Sequence, residues 1–370
     1  MSYVPISIAT ESQYRQSQQR QQRQQREQHS APDDSPPRDS TFHPEDWKIL
    51  SKFWYPVAFS SDLTDKPIAV RLLDERLVAY RAEGRVVIAK DMCAHRGVPL
   101  SLGWVEGENI VCPYHGLRYG PDGKCRHIPS QPDGHISERL KICMYPAQER
   151  YGLIWTSLGG GHEAFPEFPA WDNPDFQQIL PPSIDIAASA GRQVEGFIDV
   201  AHFAWIHEAT FADRDNPFVP QYTAERTERG MHAEYISTVS NFPKRMQHRA
   251  PADYLWRRVF NIELPFTASL TVDFPEGGVL SILNAASPVS ARSTRLFVPI
   301  ARNFDKDQPL QEVYDFNRQI FEEDRAIVET QRPDDLPLDR GVEAHILADR
   351  SSGAYRRAMS LLGLGSAYSG

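Results

Sequence analysis

The sequence contains no apolar run close to the length that spans a bilayer. A spanning helix needs roughly 20 predominantly apolar residues, and none is present among the 370 residues. The N-terminus also lacks the short apolar segment of a secretory signal peptide. These absences predict a soluble, cytoplasmic protein with no membrane partner.

Basic charge is in short supply as well. The chain has 40 Lys and Arg residues against 49 Asp and Glu residues, a formal net charge of -9. Because nucleic-acid binding depends on clustered Lys and Arg that neutralise phosphates, nucleic acid is not an expected partner. No G-x-G-x-x-G motif follows a predicted strand, so the chain is not expected to bind NADH or flavin itself.

Cysteine is scarce, with four residues at Cys93, Cys112, Cys125 and Cys143. This number does not suggest a disulfide framework and suits a reducing compartment. We expect Cys125 and Cys143 to be plain buried thiols. The other two lie in a pair of matched motifs.

Those motifs are the short loops Cys93-Ala-His95-Arg-Gly and Cys112-Pro-Tyr-His115-Gly. Two Cys/His pairs indicate a metal centre. Zinc is the alternative to consider, but its structural motifs usually space ligands by two to five residues, and a C-x-H gap hinders closure of a tetrahedron. A [2Fe-2S] cluster with two Cys on one iron and two His on the other needs one Cys/His pair from each of two facing loops. The spacing favours the cluster.

C-x-H-R-G followed by C-P-Y-H-G is similar to the signature of Rieske iron-sulfur proteins. The resemblance implies that Cys93 and Cys112 bind one iron of the cluster, and that His95 and His115 bind the other. Leu117 stands where many relatives have an aromatic residue.

A second group of potential iron ligands follows in the pattern Asp199-x-x-His202-x4-His207, within an otherwise apolar segment. In a helix, Asp199 and His202 share a face, whereas His207 lies roughly 140° from His202 at about 100° per residue. Both imidazoles can reach one metal only if the helix predicted around 193–206 widens or ends between residues 203 and 206.

A long helix farther along the chain offers a third ligand. Asp324 falls inside the apolar stripe of this helix, whereas Glu322 points nearly opposite and Glu323 lies at its edge. A carboxylate directed at the core needs a cation. The alternative is a salt bridge on the helix face with Arg325 or Arg332.

The 199–207 segment resembles the mononuclear iron motif in the catalytic, alpha-type subunits of Rieske non-haem iron oxygenases. The resemblance implies that His202, His207 and Asp324 bind Fe(2+) as a facial triad. It also implies that Asp199 is not a ligand, but a hydrogen-bonded electron-transfer bridge between the Rieske histidine of one subunit and the iron histidine of the next. A head-to-tail homotrimer follows from that role. Relatives often carry Asn where this chain has Gly196.

The chain is predicted to have three regions. Residues 1–41 are rich in Gln and Arg and read as a disordered tail. Residues 42–159 contain short β-branched runs separated by turns, which predicts an all-β Rieske domain. Residues 160–370 combine strands between 220 and 300 with a long helix at about 308–331, which predicts an α+β class; the resemblance implies a helix-grip, START-like antiparallel fold for this catalytic domain.

The resemblance implies a terminal oxygenase that uses O2 and electrons from a separate flavin and iron-sulfur reductase, with or without a ferredoxin. It would hydroxylate or oxidatively demethylate an aromatic or heterocyclic small molecule, as vanillate, dicamba and caffeine demethylases do. Two alternatives stay open: an aromatic-ring cis-dihydroxylating dioxygenase, and a Rieske electron-transfer protein without oxygenase chemistry. Candidate walls of the substrate pocket, for which core packing is the alternative role, are Asn241, Phe242, Phe266, Leu283 and Asn284.

Overall fold

The computed structural model describes residues 35–339 and 341–365. The predicted tail therefore lies outside the described residues except for its last part. Thr41, its final residue, donates from its backbone N–H and its hydroxyl to Asp74, at 2.7 Å each. Helix α1 (Pro44–Leu50) follows, with Pro in its first turn, where the missing N–H costs no hydrogen bond.

Three small antiparallel sheets form the N-terminal part of the fold. Their strand orders are β1-β11-β10, β2-β3-β4-β9 and β5-β6-β7-β8. The predicted hairpins between residues 68 and 90 are confirmed as β2, β3 and β4. The strands are β1 (Tyr55–Phe59), β2 (Ile68–Leu72), β3 (Glu75–Ala82), β4 (Arg85–Lys90), β5 (Trp104–Glu106), β6 (Asn109–Val111), β7 (Arg118–Tyr119), β8 (Cys125–His127), β9 (Met144–Tyr145), β10 (Ala147–Arg150) and β11 (Leu153–Thr156).

The C-terminal part combines one antiparallel sheet with helices, so the α+β class is confirmed. The sheet runs in the order β12-β20-β18-β17-β16-β15-β14, and β19 joins β18 to β13. Its strands are β12 (Gln177–Ile179), β13 (Ile184–Ile186), β14 (Thr223–Arg226), β15 (Gly230–Ser237), β16 (Trp256–Glu263), β17 (Thr267–Asp273), β18 (Val279–Ser290), β19 (Ser293–Phe297) and β20 (Ile300–Arg302). The helices are α2 (Ala190–Ile198), α3 (Phe203–Ile206), α4 (Leu310–Val328) and α5 (Arg350–Leu361).

Strand β16 shows how this sheet presents side chains to the helices. Alternate residues of a strand point to opposite faces, and Arg258, Phe260 and Ile262 are buried while their neighbours are more exposed. Phe260 packs edge-on against Phe197 of α2, with ring centroids 6.2 Å apart. Helix α2 therefore packs on the face of the sheet that carries Phe260.

The N- and C-terminal parts share a common core. Leu73 and Asp74 donate backbone hydrogen bonds to the carbonyls of Pro288 and Val289 in β18, at 2.7 and 3.0 Å. Within the described part of the chain, no helix combines the length and apolar character needed to cross a membrane.

Candidate metal centres and cavity

The two Cys/His loops have the same backbone structure. In each, the cysteine N–H donates to the carbonyl of the residue five positions later, at 2.8 and 2.9 Å. The glycine N–H donates back to the cysteine carbonyl, at 2.9 Å for Gly97 and 3.0 Å for Gly116. Both glycines have φ of 71°, the left-handed region that a side chain disfavours. Equivalent glycine turns thus fold the two loops toward each other.

The side chains of these loops divide by burial. Cys93 and Cys112 are 2% and 1% exposed, and burial together with the adjacent Cys93 thiol raises the pKa of Cys112. His95 and His115 are exposed, with ring centroids 4.8 Å apart. Two neighbouring buried thiols and two neighbouring exposed imidazoles fit a [2Fe-2S] cluster with one iron held inside and the other at the surface.

Tyr119 is a cluster-side residue that the sequence reasoning missed. Its hydroxyl lies 3.2 Å from Cys93 Sγ. Burial raises the pKa of Tyr119, so the phenol stays protonated and can donate to a metal-bound thiolate. Hydrogen bonds to cluster sulfurs raise the reduction potential by stabilising the more negative state.

The segment with the second set of ligands bends earlier than predicted. Helix α2 ends at Ile198, and Asp199 adopts an extended conformation. Asp199 Oδ1 accepts a hydrogen bond from the N–H of Ala201 at 2.8 Å, an Asx turn that redirects the chain. The helix predicted around 193–206 is therefore interrupted after Ile198, and its last turn is a separate short helix that ends at Ile206. His202 and His207 cap the two ends of this short α3.

The three predicted iron ligands come together. The Nε2 atoms of His202 and His207 are 3.1 Å apart, and Asp324 Oδ1 lies 3.5 Å from the first and 3.1 Å from the second. Donors about 2.1 Å from a metal and at right angles to each other are about 3 Å apart. Over residues 35–339 and 341–365, this trio is the one group of three or more metal-type donors within 4.8 Å of one another.

The alternative salt bridge for Asp324 does not form. Arg325 pairs with Glu322 and Glu329, and Arg332 pairs with Asp334. The carboxylate of Asp324 is thus turned away from the helix surface and toward the two imidazoles.

Each imidazole of the trio is backed by a further carboxylate. His202 Nδ1 is 3.3 Å from Asp199 Oδ2, and His207 Nδ1 is 2.9 Å from Glu323 Oε2. Thr210 donates its hydroxyl to the same Glu323 oxygen at 2.9 Å. A hydrogen bond at Nδ1 leaves Nε2 free to bind a metal and fixes the ring orientation. The sequence analysis missed this role of Glu323, because it placed Glu323 only at the edge of an apolar stripe.

The charged groups around the trio shift the pKa values of two of its neighbouring side chains. Burial by itself would lower the pKa of His207, but hydrogen bonds with Asp324 and Glu323 outweigh the effect of burial, and the net pKa is raised. For Asp199 the directions are reversed. Burial by itself would raise its pKa, but its hydrogen bonds with His202 and nearby backbone N–H groups bring the net pKa below the usual value. Both shifts have the same cause, the closeness of imidazoles and carboxylates around one point, and such a negative environment fits a divalent cation.

A cavity of about 160 Å³ opens beside the trio. Its lining is mainly apolar and aromatic and includes the three metal-type ligands and Gly196. The apolar and aromatic walls include Phe197, Phe203, Phe211, Phe242, Leu270, Ile282, Phe316 and Ile320. Such a lining suits a flat, largely apolar organic molecule.

The cavity includes Asn241 and Phe242 but not the other three predicted wall residues. Phe266 instead packs against Tyr55, with ring centroids 6.1 Å apart. Leu283 alternates with the cavity-lining side chains of β18 and packs in a core cluster with Trp155. Asn284 is fully buried at 0% exposure and does not line the cavity. Contrary to the prediction, these three side chains do not line the cavity, because Leu283 lies on the other face of β18 from Ile282 and Phe266 lies in the turn before β17.

Comparisons with known proteins agree with this geometry. Residues 53–146 match the Rieske [2Fe-2S] domain, and residues 186–363 match the vanillate O-demethylase oxygenase C-terminal domain. The chain is 32% identical over 319 residues to the methylxanthine N1-demethylase NdmA of Pseudomonas putida, covering 84% of this chain and 88% of the relative.

Two further similarities are of the same extent. The toluene-4-sulfonate monooxygenase iron-sulfur subunit TsaM1 of Comamonas testosteroni is 28% identical over 306 residues, 76% of this chain and 87% of the relative. The solved structure of Pseudomonas putida CBB5 NdmA with caffeine superposes with a TM-score of 0.77 at 29% identity, covering 86% of this chain and 93% of that one.

Proposed function

Because the chain belongs to the Rieske non-haem iron oxygenases as a catalytic, alpha-type subunit, we propose that it oxidatively demethylates or hydroxylates an aromatic or heterocyclic compound in the cavity beside His202, His207 and Asp324. The observation that carries the proposal is the trio itself, which forms one wall of an apolar cavity. An electron carrier needs neither the trio nor the cavity.

We assign the metal ligands as follows. Cys93 and Cys112 would hold one iron of the [2Fe-2S] cluster, and His95 and His115 would hold the other. His202, His207 and Asp324 would hold the mononuclear Fe(2+) beside the substrate cavity, and this donor set is the one that O2-activating iron sites use. When bound, the cluster supplies single electrons and the iron supplies O2 activation.

The overall change for a methoxy substrate balances as follows. R–OCH3, O2, two electrons and two protons give R–OH, formaldehyde and water. One oxygen atom enters the methyl group, the resulting hemiacetal loses formaldehyde, and the other oxygen atom leaves as water. The chain contributes the apolar walls that exclude bulk water and hold the methyl group near the trio.

The electrons come from another protein in this proposal. No dinucleotide-binding motif follows a strand in the sequence. A separate flavin and iron-sulfur reductase, with or without a ferredoxin, therefore reduces the cluster at the exposed face that carries His95 and His115.

We further propose a head-to-tail homotrimer in which Asp199 joins the two centres of neighbouring chains. Asp199 contacts His202 and keeps 30% of its side chain exposed, so it can also accept a hydrogen bond from the partner subunit's His115. Large apolar side chains are exposed close in sequence to both sets of ligands. They are Leu102, Trp104 and Tyr114 near the cluster loops, and Trp205 and Phe218 near the second site.

The test is product analysis with reductase, NADH and a panel of methoxy- and N-methyl-aromatics. We expect formaldehyde and the demethylated product in equal amounts. A cis-diol without formaldehyde would instead establish the second candidate, ring dihydroxylation. Reduction of the cluster without O2 consumption for any substrate would identify an electron carrier and contradict the proposal.

A further inference from the structure

The cavity contains a buried cation without an acidic partner. Arg258, in β16, has 0% of its surface exposed and lines the cavity. Among the described residues, no carboxylate oxygen is paired with its guanidinium within 4.0 Å, whereas the adjacent Arg257 contacts both Glu234 and Asp273. Burying a charge without a counter-charge is costly unless strong compensating contacts are present.

The contacts that Arg258 does make are all with neutral acceptors. Its Nη1 donates to Ser237 Oγ at 3.2 Å, and its Nη2 donates to the carbonyl of Val239 at 2.6 Å and to Asn241 Oδ1 at 2.9 Å. A guanidinium has five N–H donors, so these three bonds leave further donors for another acceptor. Burial lowers the pKa of Arg258 to about 10, so the side chain remains charged at neutral pH.

The other charged groups at the cavity do not neutralise Arg258. Asp305 is occupied by Arg249 through contacts of 2.6 and 2.9 Å, and Glu312 is paired with Arg245 at 2.9 Å. Asp324 faces His202 and His207.

A second guanidinium at the cavity also has no direct ion pair with a carboxylate among the described residues, although Asp305 lies close enough to stabilise its charge. Arg302 is 5% exposed and donates to the amide oxygens of Gln177 and Gln308 and to the backbone carbonyl of Asp305. Two guanidinium groups on the sheet side of the cavity, those of Arg258 and Arg302, therefore have no carboxylate oxygen in direct contact among the described residues.

The ring of Phe203 contacts both Arg258 and the metal-ligand trio. The guanidinium carbon of Arg258 lies 5.5 Å from the ring centroid of Phe203, and that ring lies 5.0 Å from the ring of His202. A planar molecule with an acidic group at Arg258 can therefore extend along the cavity with its other end at the trio. Leu270, Ile282 and Phe316 line the same cavity and offer apolar contacts to its ring.

We propose that the substrate is an aromatic acid, a carboxylate or sulfonate, whose anionic group binds Arg258 while its oxidisable substituent faces His202, His207 and Asp324. The inference deepens the proposed function and rests on it. A charge-assisted bond to a guanidinium in a cavity shielded from water is the strong kind. Arg258 is thus a specificity-determining residue that favours acids over uncharged isosteres.

The test compares matched pairs on the iron-loaded, full-length protein by calorimetry. The probes are 4-methoxybenzoate against 4-methoxybenzamide, and 4-methoxybenzenesulfonate against its sulfonamide. We expect at least one acid to bind ten-fold or more tightly than its uncharged partner. Equal affinity within both pairs, preference for the uncharged members, or no binding of either acid would overturn the inference. These measurements need no variant, so they hold even if substitutions at Arg258 impair folding.

Variants then localise the effect. R258M should abolish the preference for the acid, and R258K should retain part of it through the remaining charge. R257M is the matched control, since Arg257 is the preceding residue on β16 and pairs with Glu234 outside the cavity. An unchanged acid preference in folded R258M would also overturn the assignment.

Failure of this inference is distinguishable from failure of the proposed function. Formaldehyde released only from uncharged compounds such as caffeine would refute the role of Arg258 and leave the demethylase proposal intact. Tight, Arg258-dependent binding of an acid with a diol as the product would support the inference and contradict demethylation.

Discussion

The Rieske cluster loops and the proposed mononuclear iron site are built in different ways. The cluster loops are set by backbone hydrogen bonds and two left-handed glycines, and they expose their imidazoles. The second site is set by side chains from two stretches of chain that are far apart in sequence, the 199–207 segment and α4, with His207 only 2% exposed and a carboxylate behind each imidazole. An exposed site formed by local turns suits electron entry, whereas a buried site formed by distant elements suits chemistry beside a substrate.

The largest expected effect is the loss of a second-site ligand. In D324A the trio loses its one carboxylate, so the mononuclear iron should be lost and turnover should fall below detection, while the visible spectrum of the cluster survives. Metal analysis and absorbance on the same sample measure both. Unchanged iron content would show that another carboxylate completes the site.

Removal of the proposed link between the sites should be nearly as damaging to turnover. D199N keeps the shape of the side chain but loses its charge, so after loading with excess Fe(2+) both metal contents should match wild type while steady-state activity falls by about 100-fold or more. Iron content, cluster absorbance and activity are compared with wild type. Normal coupled activity would remove Asp199 from the route between subunits.

A smaller effect is expected from the carboxylate behind His207. E323Q weakens the hydrogen bond at Nδ1, so affinity for Fe(2+) should fall by about 10- to 100-fold. E322Q is the matched control because Glu322, the preceding residue of α4, contacts Arg325 instead. The measurement is a competitive Fe(2+) titration, and equal affinities of the two variants would contradict a positioning role for Glu323.

The smallest effect should occur at the cluster. Y119F removes the hydroxyl 3.2 Å from Cys93 Sγ, so cluster content should be unchanged and the reduction potential should be lower. Y80F is the control, because the Tyr80 hydroxyl is buried without a hydrogen-bond partner among the described residues. Redox titration of both variants measures the reduction potential of the cluster. An equal shift in Y119F and Y80F would show that altered packing, and not loss of the hydrogen bond to Cys93, lowers the potential.

The sequence was informative where the structure is local. The cluster loops could be predicted because each Cys/His pair lies within a few residues of one glycine turn. Asp324 could be selected because helical periodicity places it on the apolar face of α4. These inferences need only the geometry of one loop or one helix.

What depends on packing between elements was harder to predict. Glu323 contacts His207 only because α4 lies beside the segment after α3, and Thr210 completes that contact. The bend at Asp199 arises because its own side chain accepts a hydrogen bond from the backbone N–H of Ala201, two residues along the chain. Leu283 is an apolar strand residue like Leu270 and Ile282 of the cavity wall, and Phe266 lies in the turn just before β17. Only the assembled sheet shows that neither of them reaches the cavity.

The central claim is that this chain holds a mononuclear iron in addition to its cluster. The most direct test is iron and acid-labile sulfide per chain on anaerobically purified protein after Fe(2+) loading. One [2Fe-2S] cluster and one iron ion predict three irons and two sulfides for wild type, and two of each for D324A. Two irons and two sulfides in wild type would contradict the account and leave only an electron-transfer centre.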